Sequence, residues 1–257
     1  MNNIQKHKLI HGWNPDLPDH RDFWYEAPIH ILKVIPPLID LRAQCPPVFD
    51  QGELGSCTAN AIAAAVQFEQ MKQKEKNSFI PSRLFIYYNE RFIEHTVKYD
   101  SGGMLRDGIK TVSKQGVCSE KIWPYNISEF TKKPSAQCYK EALKNEVLSY
   151  HRIAQTSEQM KACLTEGYPF VFGFSVYESF ESEEVATRGI MPIPAKNEKL
   201  LGGHAVIAVG YDNSKQSFII RNSWGTKWGI KGYFYMPYSY ITDSNKADDF
   251  WTIRLVE

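Results

Sequence analysis

Apolar periodicity changes character part-way along this chain, and that change limits what it can fold into. Between residues 59 and 75, Ile62, Val66 and Met71 recur at helical spacing among alanines. Residues 81–94 and 104–114 read as a second and a third helix. Pro81 suits a first helical turn, and Gly116 suits a C-terminal cap. Residues 135–145 form a shorter candidate. Residues 156–166 open on a capping box, Thr156 with Gln159, and stop at Gly167. Beyond that point the chain reads as strands, at 170–176, 205–211, 217–221, 233–236 and 251–256. Helices first and strands afterwards predict an α+β protein of two lobes with a cleft between them. The helical lobe is expected at roughly 48–150 and an antiparallel sheet or barrel lobe at roughly 151–257.

Pro36-Pro37 and Pro46-Pro47 bracket a short extended segment, 38–42, and mark where the body begins. Residues 1–35 read as an N-terminal arm or short pro-like extension. Trp13, Phe23, Trp24, Tyr25 and the run 29–35 are too apolar for a disordered tail and too irregular for one long helix. An ordered arm packed on the body is expected, in a structural role; the alternative lays it partly across the cleft. Asp16, Asp19, His20 and Asp22, or His7 and His11, have the side chains of metal ligands, but turn chemistry around Pro15 and Pro18 is the simpler account. No metal and no cofactor are expected.

Thirty basic and 29 acidic residues leave a net charge of +1, which offers nucleic acid or a membrane surface no electrostatic purchase. No apolar stretch is long enough to span a bilayer, and residues 1–8 lack the apolar core of a secretory signal. Five cysteines at irregular spacing, without a CxxC, fit a disulfide-free cytoplasmic protein. Nothing indicates an oligomeric state.

The chemistry concentrates in a glycine-punctuated loop, residues 50–60, that runs into the first helix with Cys57 at the junction. Unpaired N–H groups and the positive end of the helix dipole there favour a thiolate. Alternatively, Cys57 is a small buried apolar residue. A thiolate needs a base, and the base needs an orienting group. His204 follows two glycines at the start of an apolar strand, and Asn222 ends the next strand, so paired strands would bring them to one sheet edge. Trp224 would shield the bond between them from water.

Gln51 through Cys57, Gly203-His204-Ala205, and Asn222-Ser223-Trp224-Gly225 followed by Trp228-Gly229 and Gly232-Tyr233 resemble the papain family of cysteine peptidases, in its order of Gln, Cys, His, Asn. The resemblance covers roughly residues 36–257 and points to a disulfide-poor, bacterial-type branch. Cys57 to His204 spans the ~130–150 residues of the family's signature, and Asn222 lies somewhat beyond. The resemblance implies a Cys57 nucleophile, His204 as its proton partner, Asn222 orienting His204, and Gln51 donating to the oxyanion with the Cys57 N–H. It implies a substrate-binding wall at Ser101, Gly102 and Gly103 that pairs with an extended peptide. Leu105 and Ala205 would line an apolar pocket for the second acyl-side residue; Gly203 and Trp224 complete the substrate-binding set.

The departures are specific. Leu54 and Asp100 stand where the family commonly has a cysteine pair, and Thr58 where an aromatic usually follows the nucleophile. Gly203 replaces the acidic or polar residue often found before the histidine. The arm is much shorter than a helical prodomain, so a large inhibitory domain is not expected. The implied activity is hydrolysis of peptide bonds in peptides or proteins, with an apolar preference at the second acyl-side position. The alternatives are a weak or inactive relative that binds peptides or a partner, and an acyl-transferase or deamidase on the same triad. The segment 178–200, Glu-rich and then holding Pro192 and Pro194, enters just before His204, where it could shape the primed side of the cleft.

Overall fold

The computed structural model describes residues 11–73 and 78–256. His7 and the whole of the polar segment 1–8 lie outside them. In chain order the elements are α1 (Ile29–Leu32), β1 (Leu38–Asp40), α2 (Cys57–Lys72), α3 (Arg83–Ile93), α4 (Leu105–Lys114), α5 (Ala136–Ala142), β2 (Val147–Arg152), α6 (Ser157–Thr165), β3 (Phe170–Tyr177), α7 (Glu183–Arg188), β4 (Leu200–Asp212), β5 (Ser217–Arg221), β6 (Tyr233–Pro237), α8 (Tyr238–Ile241) and β7 (Ala247–Val256). The fold is α+β, as expected.

α2 is the element on which both halves pack. It lies against α3 and α4 on one side and against β4 and β7 on the other, and every residue from Cys57 to Gln70 is buried. A helix covered all round needs no apolar stripe. Ala59, Ala61, Ala63, Ala64 and Ala65 let its neighbours approach closely. α3 begins after Ser82, whose hydroxyl accepts from the Phe85 N–H at 3.2 Å, so the cap is a serine and Pro81 lies outside the helix. Thr156 caps α6 as expected, but the box is half made. The Gln159 side chain reaches the Ala27 N–H of the arm at 3.0 Å instead of turning back to its own cap.

The strands form one antiparallel sheet in the order β2-β7-β3-β4-β5-β6, with β1 pairing β4; it is an open sheet, not a closed barrel. Its core is aromatic: Phe172 and Phe250 stack with ring centres 5.4 Å apart, and Phe170 meets Phe218 edge-on at 6.1 Å. Fully burying one such ring contributes about 1.5–3 kcal/mol. β2 escapes sequence reading because Val147 alone among its residues is buried, so the strand has no apolar alternation to detect. It pairs with β7, while the backbone of Arg152 bonds on its other side to Phe23 and Tyr25 of the arm. Arm and body therefore share a backbone ladder.

Candidate active site

Three elements deliver the chemistry. Cys57 is the first residue of α2, His204 lies within β4, and Asn222 follows the last residue of β5. β4 and β5 are antiparallel neighbours, which brings His204 Nε2 to 2.8 Å from Asn222 Oδ1. Trp224 stacks on the imidazole at 4.7 Å, and Phe174 meets it edge-on at 5.7 Å. The ring is thus clamped with Nδ1 free of any hydrogen-bond partner among the described residues. Ala205, next in the chain, has its backbone N–H near enough to Cys57 to favour the ionised sulfur.

Gln51 sits on the same floor. Its amide nitrogen donates to the Leu54 carbonyl at 3.0 Å, and its amide oxygen accepts from the Ser223 hydroxyl at 2.6 Å. One amide hydrogen is left over. Ser223 also accepts the Gln51 backbone N–H at 2.8 Å, and the Tyr125 hydroxyl donates to the Gln51 carbonyl at 2.9 Å. Ser223 and Tyr125 carry no sequence signal of their own, although Ser223 lies inside a motif that was read for its neighbours.

Asp100 ties the segment at Gly102 to the loop before Cys57 without a disulfide. Its carboxylate accepts the Gly55 N–H at 3.0 Å and the Tyr87 hydroxyl, and that hydroxyl in turn receives the Gly102 N–H at 3.2 Å. All five cysteines are free thiols. Ser101 bonds to Thr96 Oγ1 at 2.8 Å, and Leu105 is fully buried at the start of α4.

The arm occupies this cleft, and the expectation of a merely structural arm is corrected. Gly103 donates its N–H to the Gly12 carbonyl at 2.8 Å and accepts the Asn14 N–H at 3.0 Å, while the Trp13 N–H goes across to the Gly203 carbonyl at 3.0 Å. Asn14 also donates its side-chain amide to the Ser101 carbonyl at 3.1 Å. The indole of Trp13 lies over Gly173, where an added Cβ would stand 1.9 Å from the ring, and ends with Nε1 donating to Asp249 at 3.0 Å. His11 Nε2 lies 2.8 Å from Glu181 Oε1, so the 178–200 segment contributes at least one side chain to the arm's seat.

Occlusion explains the ionisation of the site. Cys57 and His204 are both fully buried. Burial pushes the Cys57 thiol up to about 12, although the N–H groups of Ala205, Gly12 and Thr58 pull the other way. Burial likewise pushes His204 down to about 3. The helix-terminus argument for a lowered thiol pKa is therefore overridden, because a sealed cleft penalises both charges more than the dipole rewards one.

Acidic residues of the arm are taken up by arginines of the body; no group of three or more potential metal ligands occurs among the described residues. Asp22 takes both nitrogens of the Arg106 fork, at 3.0 and 2.5 Å, and a third bond from Arg152 at 3.2 Å. Asp16 accepts from the Arg106 N–H and from Trp251, and its own N–H donates to Asp249 at 2.8 Å. Asp19 pairs locally with Arg21.

Arg106 and Arg152 thus face four carboxylates: Asp16 and Asp22 from the arm, Asp248 and Asp249 from the body. Burial, together with the charge of Asp16, raises Asp249 to about 7, and burial also raises Asp16. A docked arm binds a proton that a released arm gives up, so docking is strongest below the ordinary carboxylate range of the released arm, weakens as pH rises from there to about 7, and is level above. The rate of Cys57 alkylation by iodoacetamide, divided by that of Asp249→Asn, should therefore rise between about pH 5 and about 7 and level off above that. A flat ratio would exclude the latch.

The imidazole–amide pair and Cys57 lie on neighbouring elements, beside Gly103, whose backbone bonds to the arm on both sides. The papain family cysteine protease model matches residues 35–248, and the chain belongs to that family. It is a cysteine peptidase. The crystal structure of xylellain, a cysteine protease from Xylella fastidiosa, is 50% identical, superposes with a TM-score of 0.89 and is covered over 96% of both chains. An uncharacterized peptidase C1-like protein of Acanthamoeba polyphaga mimivirus is 48% identical over 237 residues, which are 87% of this chain and 76% of that one. Chymopapain from Carica papaya is 30% identical over 84% of this chain, which spans 57% of chymopapain's length. No helix among the described residues is long and apolar enough to cross a membrane.

Proposed function

We propose that Cys57 attacks peptide bonds with His204 as its proton partner, Asn222 orienting the ring, and Gln51 with the Cys57 N–H receiving the oxyanion. The observation that carries this is the 2.8 Å His204–Asn222 bond, which commits Nε2 and leaves Nδ1 for the thiol. The thiol proton passes to Nδ1, sulfur adds to the carbonyl carbon, and the proton is returned to the departing amine. Water then releases the acid by the same route. Substrate pairs with Ser101, Gly102 and Gly103 as the arm does, and its second acyl-side residue enters the space that Trp13 fills. Gly203 and Ala205 border that space, with Leu105 assigned to it by position, which favours an apolar body. The arm's indole suggests that aromatic side chains fit, with Asp249 accepting an N–H at the far end.

Thr58, standing where the family usually has an aromatic, is the departure that would favour an inactive binder. It is turned away into a hydrogen bond with Glu90, and Trp224 already covers the imidazole, so that reading loses its support. The five unpaired thiols favour a reducing compartment.

The reduced full chain should be labelled at Cys57 by a peptidyl epoxide and should hydrolyse a hydrophobic dipeptidyl amide, and His204→Ala should lose both. If neither the full chain nor a form lacking residues 2–14 does either, the peptidase assignment of these residues is wrong.

A further inference from the structure

Helix α3 directs one carboxyl into the space behind the cleft. Glu90 is fully buried, and its Oε1 accepts from Thr58 Oγ1 at 2.6 Å. Oε2 has no hydrogen-bond partner among the described residues. The same carboxyl presses on the back of the substrate wall: a Cβ on Gly103 would stand 2.8 Å from Cδ and Oε1, and one on Gly108 2.6 Å from Oε2. One side chain therefore touches the residue after the nucleophile and the glycine whose backbone takes up the peptide.

We propose that Glu90 is a positioning residue that sets the separation between the Cys57 thiol, through Thr58, and the Gly103 strand, through direct packing. The inference rests on the peptidase reading of the cleft. No cation among the described residues pairs directly with this carboxyl, and the charge of Arg91 offsets its burial only in part. Arg91, beside it in sequence, gives its donors to the carbonyls of Tyr87, Val97, Tyr99 and Phe130. The other charges facing it are acidic: Glu94, which accepts the Met104 N–H at 2.7 Å, and Asp107 of α4. Burial then holds Glu90 in its protonated form, since an unpaired buried carboxylate is far costlier than a neutral acid. A neutral acid can exchange hydrogen bonds with the Thr58 hydroxyl and lie flat against two glycines. Its length, and not its charge, then fixes the gap across the cleft.

Two reagents separate this role from simple support of the fold. Iodoacetamide reads the thiol alone, whereas a peptidyl epoxide must also pair with Gly103. Both require the arm to move aside, so the ratio of their labelling rates in the full chain cancels arm opening. Glu90→Asp, one methylene shorter, and Thr58→Val should each lower the epoxide-to-iodoacetamide ratio at least about tenfold, because a small misplacement of reacting groups is costly. Glu90→Gln, of equal length and uncharged, should keep the ratio within about threefold of wild type. An unchanged ratio in Glu90→Asp and Thr58→Val, even with a lower melting temperature, would reduce Glu90 to a packing residue and overturn the proposal. A Glu90→Gln ratio as low as that of Glu90→Asp would overturn it too. Wild-type protein alkylated by iodoacetamide but never by the epoxide would instead sink the peptidase reading, and this inference with it.

Discussion

Trp13→Ala raises kcat/KM for a dipeptidyl amide roughly 10- to 100-fold. The indole is the arm's main apolar anchor, and losing its burial removes about 1.5–3 kcal/mol of docking, where each 1.4 kcal/mol is a factor of ten in the open population. Water then reaches Cys57 and His204, the desolvation that holds them neutral is relieved, and the thiolate–imidazolium pair becomes accessible. Deleting residues 2–14 should act in the same direction and leave the melting temperature close to that of the full chain. Deleting 2–30 should not, because it also removes Asp22, the partner of Arg106 and Arg152, and Tyr25 and Ala27, which are buried in the core. Steady-state kinetics beside thermal melts would decide the matter. Unchanged activity in Trp13→Ala would mean that the arm leaves the cleft freely.

Gln51→Ala lowers kcat by on the order of 10²–10³, with KM little altered, because the amide is needed only when charge develops on the carbonyl oxygen. Ser223→Ala produces a smaller loss of the same kind. It leaves the donor present but removes the 2.6 Å bond that orients it. If Gln51→Ala retained kcat within about threefold, the oxyanion would have to be held elsewhere.

The helices were legible because their caps and periods are local. Thr156 caps as a short polar residue before an apolar run should, whereas α3 is capped by Ser82 and not begun at Pro81. The long buried strands β3, β4 and β5 announced themselves by apolar runs, and His204 and Asn222 by glycine and tryptophan neighbours at their ends. Local rules failed where a residue's partner comes from far along the chain. Gln159 should complete its own capping box, yet it satisfies Ala27. β2 has no apolar alternation because only Val147 among its residues is buried, and the arm that pairs its outer edge comes from far along the chain. Asp100, Asp249 and Glu90 are single acids with no motif around them, and only packing reveals that one replaces a covalent tie, one ends a pocket and one braces the cleft.

The sequence by itself determined the order of helices and strands, the α+β class, and the four residues proposed to act at the cleft. Those depend on periodicity and on spacing within one family pattern. Tertiary structure alone decided where the arm lies and, through it, the ionisation of Cys57. A helix terminus lowers a thiol's pKa only while water or a counter-charge can accompany the anion. Gly12 and Trp13 remove the water, and nothing in the residues around Cys57 encodes that they will.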